Sequence, residues 1–417
     1  MKWDRENLLD QNRPQLDGHY PDRLLSRRGL PWRFEVNMSN DLFPTTHVGR
    51  LGHCDDLDQS WESSTSRPST EAFQSLLSKS VREVVQRQVD CGVDIVCDGE
   101  LGKLSWWTYL TSRLSGLAPS KGADLSSDLF QTHPDWANFA GYYREDFLQS
   151  WMTRRWHRVV TQPALSCVGP IKYVGLDALN EDIANLKSAM AAAGAKRGFM
   201  NSVAPGSAQL PNEYYKNDEE YLFALADALH EEYRTIVAAG LTLQIDDPVL
   251  ADDHVVTVGG EADKQRRAEL RVAALNHALR GISPESVRVH ICWGSWHGPH
   301  STDTPVRELI PWLLKMNVGG WSVEAANARH EHEFADWKGV DLGGRVVLPG
   351  VVGHATNTVE HPDLVAWRIG LWADTVGAAS VIPSTDCGLG DRVHPQIETA
   401  KLKSLAQGAE IARRRYR

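Results

Sequence analysis

Eight short apolar runs recur along the chain, at 44–49, 93–100, 198–205, 241–247, 287–292, 320–324, 346–352 and 381–386, and most are separated by segments of helical periodicity. A brief apolar run between turn residues is the pattern of a strand buried on both faces. Segment 70–90 has apolar residues at helical spacing after Ser69-Thr70-Glu71. Segment 218–239 opens with Asp218 and two glutamates, which suit the positive end of a helix, and closes at Gly240. Segment 303–316 opens at Asp303 with Pro305 nearby, and 360–377 ends at Gly377. Strands alternating with helices predict an α/β protein with a parallel sheet, here a single (β/α)8 TIM-type barrel; a doubly wound open sheet is the alternative.

A ninth apolar run, 167–174, breaks the count. It follows an aromatic, polar stretch at 123–164. Both are assigned to an excursion between the second and third barrel strands, an insertion at about 120–175. Residues 1–40 are polar and punctuated by Pro and Arg, and read as an N-terminal arm on a barrel of residues 41–417. No apolar stretch approaches the roughly 20 residues that span a bilayer, and no apolar signal region follows the N-terminus. A cytoplasmic protein without a membrane partner is therefore expected. Six cysteines scattered over 417 residues do not form a disulfide framework. A net charge of −10 argues against a nucleic-acid partner.

Ionisable residues gather where the runs end: His47, Glu100, Asp246, Asp247, His290, Cys292, Glu324, His354 and Cys387. Barrel active sites form on that face, and groups buried there need partners or a metal. His290 and Cys292 flank Ile291 on one strand, so their side chains share a face. Glu324 ends the next run, and Cys387 ends the run after the one that follows. In a closed barrel these ends converge, and one His, two Cys and one Glu are ligands that zinc takes readily. The plain alternative for the His-x-Cys pair is a core histidine and a small buried cysteine. A site with four protein ligands is usually structural. Glutamate is the weakest of these four for a thiophilic ion, and a thiol that displaces it makes the site catalytic, with the sulfur held as thiolate.

The set resembles the catalytic barrel of the cobalamin-independent methionine synthase superfamily. The motifs that carry the resemblance are Thr45-Thr-His-Val-Gly49, Gly92-Val-Asp-Ile-Val-Cys-Asp-Gly-Glu100, Leu243-Gln-Ile-Asp-Asp-Pro248, His290-Ile-Cys292, Val323-Glu324, Gly350-Val-Val and Asp386-Cys-Gly-Leu389. It implies the (β/α)8 fold and Zn2+ held by His290, Cys292, Glu324 and Cys387. It also implies that Glu100 and Asp246 hold an amino group like that of homocysteine, and that His354 takes part in proton transfer. The chain departs from the methionine synthases at several points. Gly49-Arg50-Leu51-Gly52 replaces a Gly-Ser-Phe-Pro start, Asp247 replaces a glutamate, and Gly353 replaces an aspartate. Residues 201–206 lack the tryptophan that stacks on folate. The chain is also too short for the family's additional N-terminal barrel. Segments 212–218 and 327–333 resemble short single-barrel members such as the epoxyalkane:coenzyme M transferases.

The sequence therefore predicts a zinc-dependent enzyme that transfers an alkyl or methyl group at a thiol, making or breaking a C–S bond. Its partners are a small-molecule thiol and an alkyl donor, and self-association is left open. His354, with Asp246 and Asp247, is expected to handle the proton. His47, Arg50, Glu100, Trp106 and Trp293 are expected to face the substrate. Arg50 is read either as an anchor for an anionic tail or as a structural ion pair. Trp106, Trp107, Tyr109, Trp293 and Trp296 are read as a pocket wall or as plain packing. The cluster Glu331, His332, Glu333 and His330 is read as supporting or surface residues, as are His297 and His300. The alternatives are folate-dependent homocysteine methyl transfer and a non-catalytic barrel with structural zinc.

Overall fold

The computed structural model describes residues 42–52, 57, 67–106, 108–120, 133–145, 165–251, 260–294 and 297–417. The expected arm at 1–40, Trp107, Trp296, most of 121–164 and Val258-Gly259 lie outside them. Seven parallel strands run in the order β1 (Ile95–Val96), β4 (Arg197–Val203), β5 (Thr242–Asp246), β6 (Val287–His290), β7 (Gly320–Val323), β8 (Val346–Val352) and β9 (Ser384–Thr385). Between β1 and β4 in the chain, β2 (Leu117–Pro119) pairs antiparallel with β3 (Leu165–Cys167), forming a separate small sheet.

The first predicted run forms no regular ladder, yet it joins the two edges of the parallel sheet. Ile95 N donates to Thr45 O at 3.0 Å, and Thr46 N donates to Pro383 O at 3.0 Å. This extended stretch lies between β1 and the start of β9, and the result is a TIM-type barrel. Its interior is packed: Ile95, Cys97, Phe199, Val346, Leu348 and Ile382 form one buried cluster. Arg288 lies among the strands with its guanidinium 3.9 Å from the Phe199 ring, donating to Gln244, to Thr46 Oγ1 and to the His47 carbonyl.

The helices follow local rules. Helix α1 (Glu71–Asp90) is capped by Thr70, whose hydroxyl accepts from Phe73 N, and it buries Phe73, Leu77, Val81 and Val84 on one stripe. α2 (Leu176–Ala193) follows the excursion. α3 (Asp218–Ala238) has an Asn217 cap and three acids in its first turn. α4 (Glu261–Ala278) precedes β6. α5 (Val306–Leu313) starts later than Asp303, because Asp303 is bonded to His300 and His330 and helix geometry begins after Pro305. α6 (Pro362–Val376) and α7 (Pro395–Arg415) follow, and two short helices, Pro134–Asn138 and Ala140–Tyr142, lie between β2 and β3. Strand β1 is shorter than its run, 93–100, and past it Gly99 (φ +67°) and Glu100 (φ +57°) turn the backbone left-handed. Among the described residues no helix is long and apolar enough to cross a membrane.

Gly350 is where β8 and β9 meet most closely. A Cβ there would lie 2.3 Å from Asp386 Oδ1 and 2.4 Å from its Cα, and the Cα cannot rotate away. Gly350→Ala is expected to cost about 3 kcal/mol by overpacking, read as a lower midpoint in urea unfolding; an unchanged midpoint refutes this account of the β8–β9 contact.

Candidate metal centre

His290 is the last residue of β6 and pairs in register with Asp246 on one side and Ser322 on the other. Cys292 follows two residues later, and Cys387 lies two residues beyond β9. Their ligand atoms lie within 4.8 Å of one another. A zinc tetrahedron with bonds of ~2.0–2.3 Å places its ligand atoms ~3.3–3.8 Å apart, so small shifts complete such a site. His290 Nδ1 faces Ser322 Oγ at 3.3 Å, while its buried Nε2 has no hydrogen-bond partner. A buried ring nitrogen left open beside two thiols fits a metal, and the neighbour on the other nitrogen sets the ring's orientation. The two thiols are unequal. Cys387 is held well below the usual thiol range, first by its hydrogen bond with Cys292 and then by His290. Cys292 is held up by Cys387 and by burial.

Glu324 stands apart from these three. Its carboxylate groups with His354 and Asp386, again within 4.8 Å. Trp293 N donates to Glu324 Oε1 at 3.3 Å, and Asn327 Nδ2 donates to Oε2 at 2.7 Å. Asp386 is a site residue that the sequence reading left without a role. Its Oδ1 accepts from Ala325 N and Ala326 N at 2.7 and 2.9 Å, and its Oδ2 from Asn327 at 3.2 Å. Burial pushes its carboxyl up to about 7 against those donors. Burial, then Asp386, pushes Glu324 up as well. His354 is buried with Nδ1 unpartnered, and burial lowers it to about 3, so the ring is neutral at pH 7.

A second group of polar residues lies at the ends of β1, β4 and β5. Asp246 Oδ2 accepts from Asn201 at 3.0 Å and Oδ1 from Gln244 at 2.8 Å. Glu100 Oε2 and Asn201 Oδ1 are buried without partners. Burial raises Glu100 to about 7, opposed by Lys103 and reinforced by Asp246. Asp247 accepts from Ser207 Oγ at 2.8 Å.

Other expected substrate-facing residues are engaged by the protein. His47 donates from Nε2 to Gln88 at 2.7 Å and accepts from Gly49 N at Nδ1. Arg50 directs its guanidinium to Asp391 and to the carbonyls of Glu100, Lys103 and Leu104. These contacts brace the turn that carries Glu100. Trp106 is half-buried against the core. Trp293 is buried, with its indole N–H bonded to Thr304 O and its ring stacked on His330 at 4.1 Å.

His330 is a supporting residue, and His332 is exposed. His330 lies between Asp303 at 3.1 Å and Glu333 at 2.9 Å. Burial disfavours its charge, but the two carboxylates outweigh it and raise it to about 10. The sign follows: this ion pair adds stability fully below the unfolded value of 6.5, and the contribution is lost as pH rises through about 10. His330→Gln is expected to cost about 3 kcal/mol at pH 6, with the gap to wild type narrowing towards pH 10 in urea titrations. A gap that does not depend on pH would show that packing, not charge, is what the histidine contributes.

The chain is similar to known proteins in sequence and in fold. The chain is 26% identical over 206 residues to a methionine synthase from Sulfurisphaera tokodaii, covering 48% of this chain and 52% of that protein. It is 27% identical over 205 residues to one from Thermococcus kodakarensis, covering 49% and 53%. The chain thus spans about half the length of the curated relatives it matches. Among solved structures it resembles a B12-independent methionine synthase from Shewanella sp. W3-18-1 in complex with selenomethionine. That match has a TM-score of 0.66 and 22% identity, and covers 90% of this chain and 99% of that one. No protein-family model matches. The chain is thus similar in sequence, over about half its length, to methionine synthases, and it shares the fold of a B12-independent methionine synthase.

Proposed function

We propose that this protein is a zinc-dependent enzyme that transfers a methyl or other alkyl group to a small-molecule thiol. The observation that carries the reading is the convergence of His290, Cys292 and Cys387, with the buried Nε2 of His290 open. These three residues would hold zinc, with Glu324 as the fourth, exchangeable ligand. When bound, zinc supplies a Lewis acid that keeps a thiol ionised at neutral pH. The chain's own residues do the rest. His354 is neutral, buried and open at Nδ1, and so offers that nitrogen as a hydrogen-bond acceptor to an incoming thiol. Asp246 and Asp247 border His290 through the Asp247 N to His290 O bond and the β5–β6 register, and add negative potential there.

Glu100 and Asp246, with the open acceptors Glu100 Oε2 and Asn201 Oδ1, suit an ammonium group on the thiol substrate. The name carried by the matched relatives favours homocysteine as that thiol and a methyl donor as its partner. A sulfonate thiol with an epoxide donor is the competing pair.

Zinc content and X-ray absorption at the zinc edge test the reading, before and after adding homocysteine or 2-mercaptoethanesulfonate. One zinc per chain and an added sulfur ligand are expected, and no zinc overturns it. The ammonium subsite has its own test. Glu100 gains its charge as pH rises through about 7, so homocysteine should bind about tenfold more tightly at pH 8 than at pH 6, relative to 4-mercaptobutanoate, which lacks the amine. Glu100→Gln should abolish that difference; if the two thiols follow one pH profile in the wild type, Glu100 does not bind an amine.

A further inference from the structure

Asn327 lies in the loop after β7 and belongs to no ligand group, yet it fixes the carboxylate that the proposed chemistry needs to move. Its amide can point only one way. Oδ1 accepts from Arg329 N at 2.9 Å and from His330 N at 3.1 Å, so the oxygen must face the following turn. The NH2 group is thereby turned back, and donates to Glu324 Oε2 at 2.7 Å and to Asp386 Oδ2 at 3.2 Å. One amide thus bridges two carboxylates whose oxygens lie within 4.8 Å of each other. Without a donor between them, two such groups in a buried site cannot both stay ionised at no cost. Asp386 cannot yield, because Ala325 N and Ala326 N hold its other oxygen and Gly350 packs against its backbone. Glu324 is the partner with freedom to leave, and its remaining contact here is the longer one from Trp293 N.

We propose that Asn327 is a positioning residue that defines the detached position of Glu324, so that Glu324 leaves the metal when a thiol arrives. The inference rests on the metal reading above. It goes further by naming the residue that makes one coordination position exchangeable. With Asn327 donating, Glu324 has two stable positions, one beside Asp386 and one at His290, Cys292 and Cys387. With that donor removed, the position beside Asp386 loses its hydrogen bond, and Glu324 is held on the metal.

Two substitutions separate this role from the turn-capping role of the same side chain. Asn327→Ser keeps a short acceptor for the Arg329 and His330 N–H groups but removes the donor to Glu324. Asn327→Asp keeps the shape and the acceptor, and replaces the donor with a third carboxylate. Each protein is loaded with Co(II), whose sulfur-to-metal charge-transfer band reports thiolate ligation. Cobalt transfer to a chelator is then timed, and homocysteine and 2-mercaptoethanesulfonate are titrated against the band. Both variants should bind one cobalt with a band like that of wild type, release it about tenfold more slowly, and need about tenfold more thiol for half the change. The same substitutions made with Glu324→Ala should have no further effect, because the carboxylate they act through is gone. Release that is unchanged or faster in both variants, or an effect that persists without Glu324, overturns the inference while leaving the metal reading intact. A wild-type protein with no cobalt–thiolate band overturns the metal reading, and the inference falls with it.

Discussion

Burying charge at one end of a barrel is the constraint on which the rest of this structure depends. A carboxylate, imidazolium or guanidinium removed from water must find a partner or change its protonation. Most of the groups here have found one. Arg288 is satisfied inside the barrel by Gln244, Thr46 and the His47 carbonyl. Lys401 pairs with Glu360, whose other bond fixes Gly353 just before His354. Arg113 joins Asp182 and Glu232 beneath Tyr109. Against that background, the buried atoms left open at the strand ends carry information: His290 Nε2, His354 Nδ1, Glu100 Oε2 and Asn201 Oδ1. Each is an acceptor or ligand atom without a donor, and they fall in two places, one suited to a metal and one to a cation.

How much of this was legible beforehand depends on the range of the interaction. Strand β8 spans the whole of its apolar run, 346–352, because a fully buried parallel strand needs apolar residues on both faces. The pair His290 and Cys292 could be read because the alternation of a strand is local. The position of Glu324 could not. It is set by Asn327, three residues ahead, and by Asp386, which is 62 positions away in sequence yet packed beside it. Asp386 was hidden by its own neighbour: next to Cys387 it reads as part of a cysteine motif, while its side chain serves a different loop. Arg50 was ambiguous for a similar reason. An arginine at a strand end suits an anion or a brace, and the carbonyls it meets here, of Glu100, Lys103 and Leu104, lie 50, 53 and 54 positions away in sequence. Propensity does not give the turn after β1 either: Glu100 adopts a left-handed backbone that a non-glycine residue seldom takes, as residues at functional sites often do.

In the zinc centre proposed above, charge balance would favour exchange over addition at the metal. Two thiolates, from Cys292 and Cys387, neutralise a divalent cation, and the imidazole of His290 adds no charge. A glutamate ligand makes the group −1, and a substrate thiolate in its place leaves it at −1. Holding both would put −2 on the coordination shell itself, where the like charges of the ligands lie closest together. Arg392, whose field reaches both cysteines, and His330, whose field reaches Glu324, offset a single negative charge more readily than two. The detached position beside Asp386 asks Glu324 to accept hydrogen bonds from Asn327 and Trp293 instead of a metal bond. These are bonds of modest net strength, about 1.5–3 kcal/mol each to a charged group. That is enough to make departure reversible and too little to make it permanent, which is the balance that a ligand exchanged in every turnover requires.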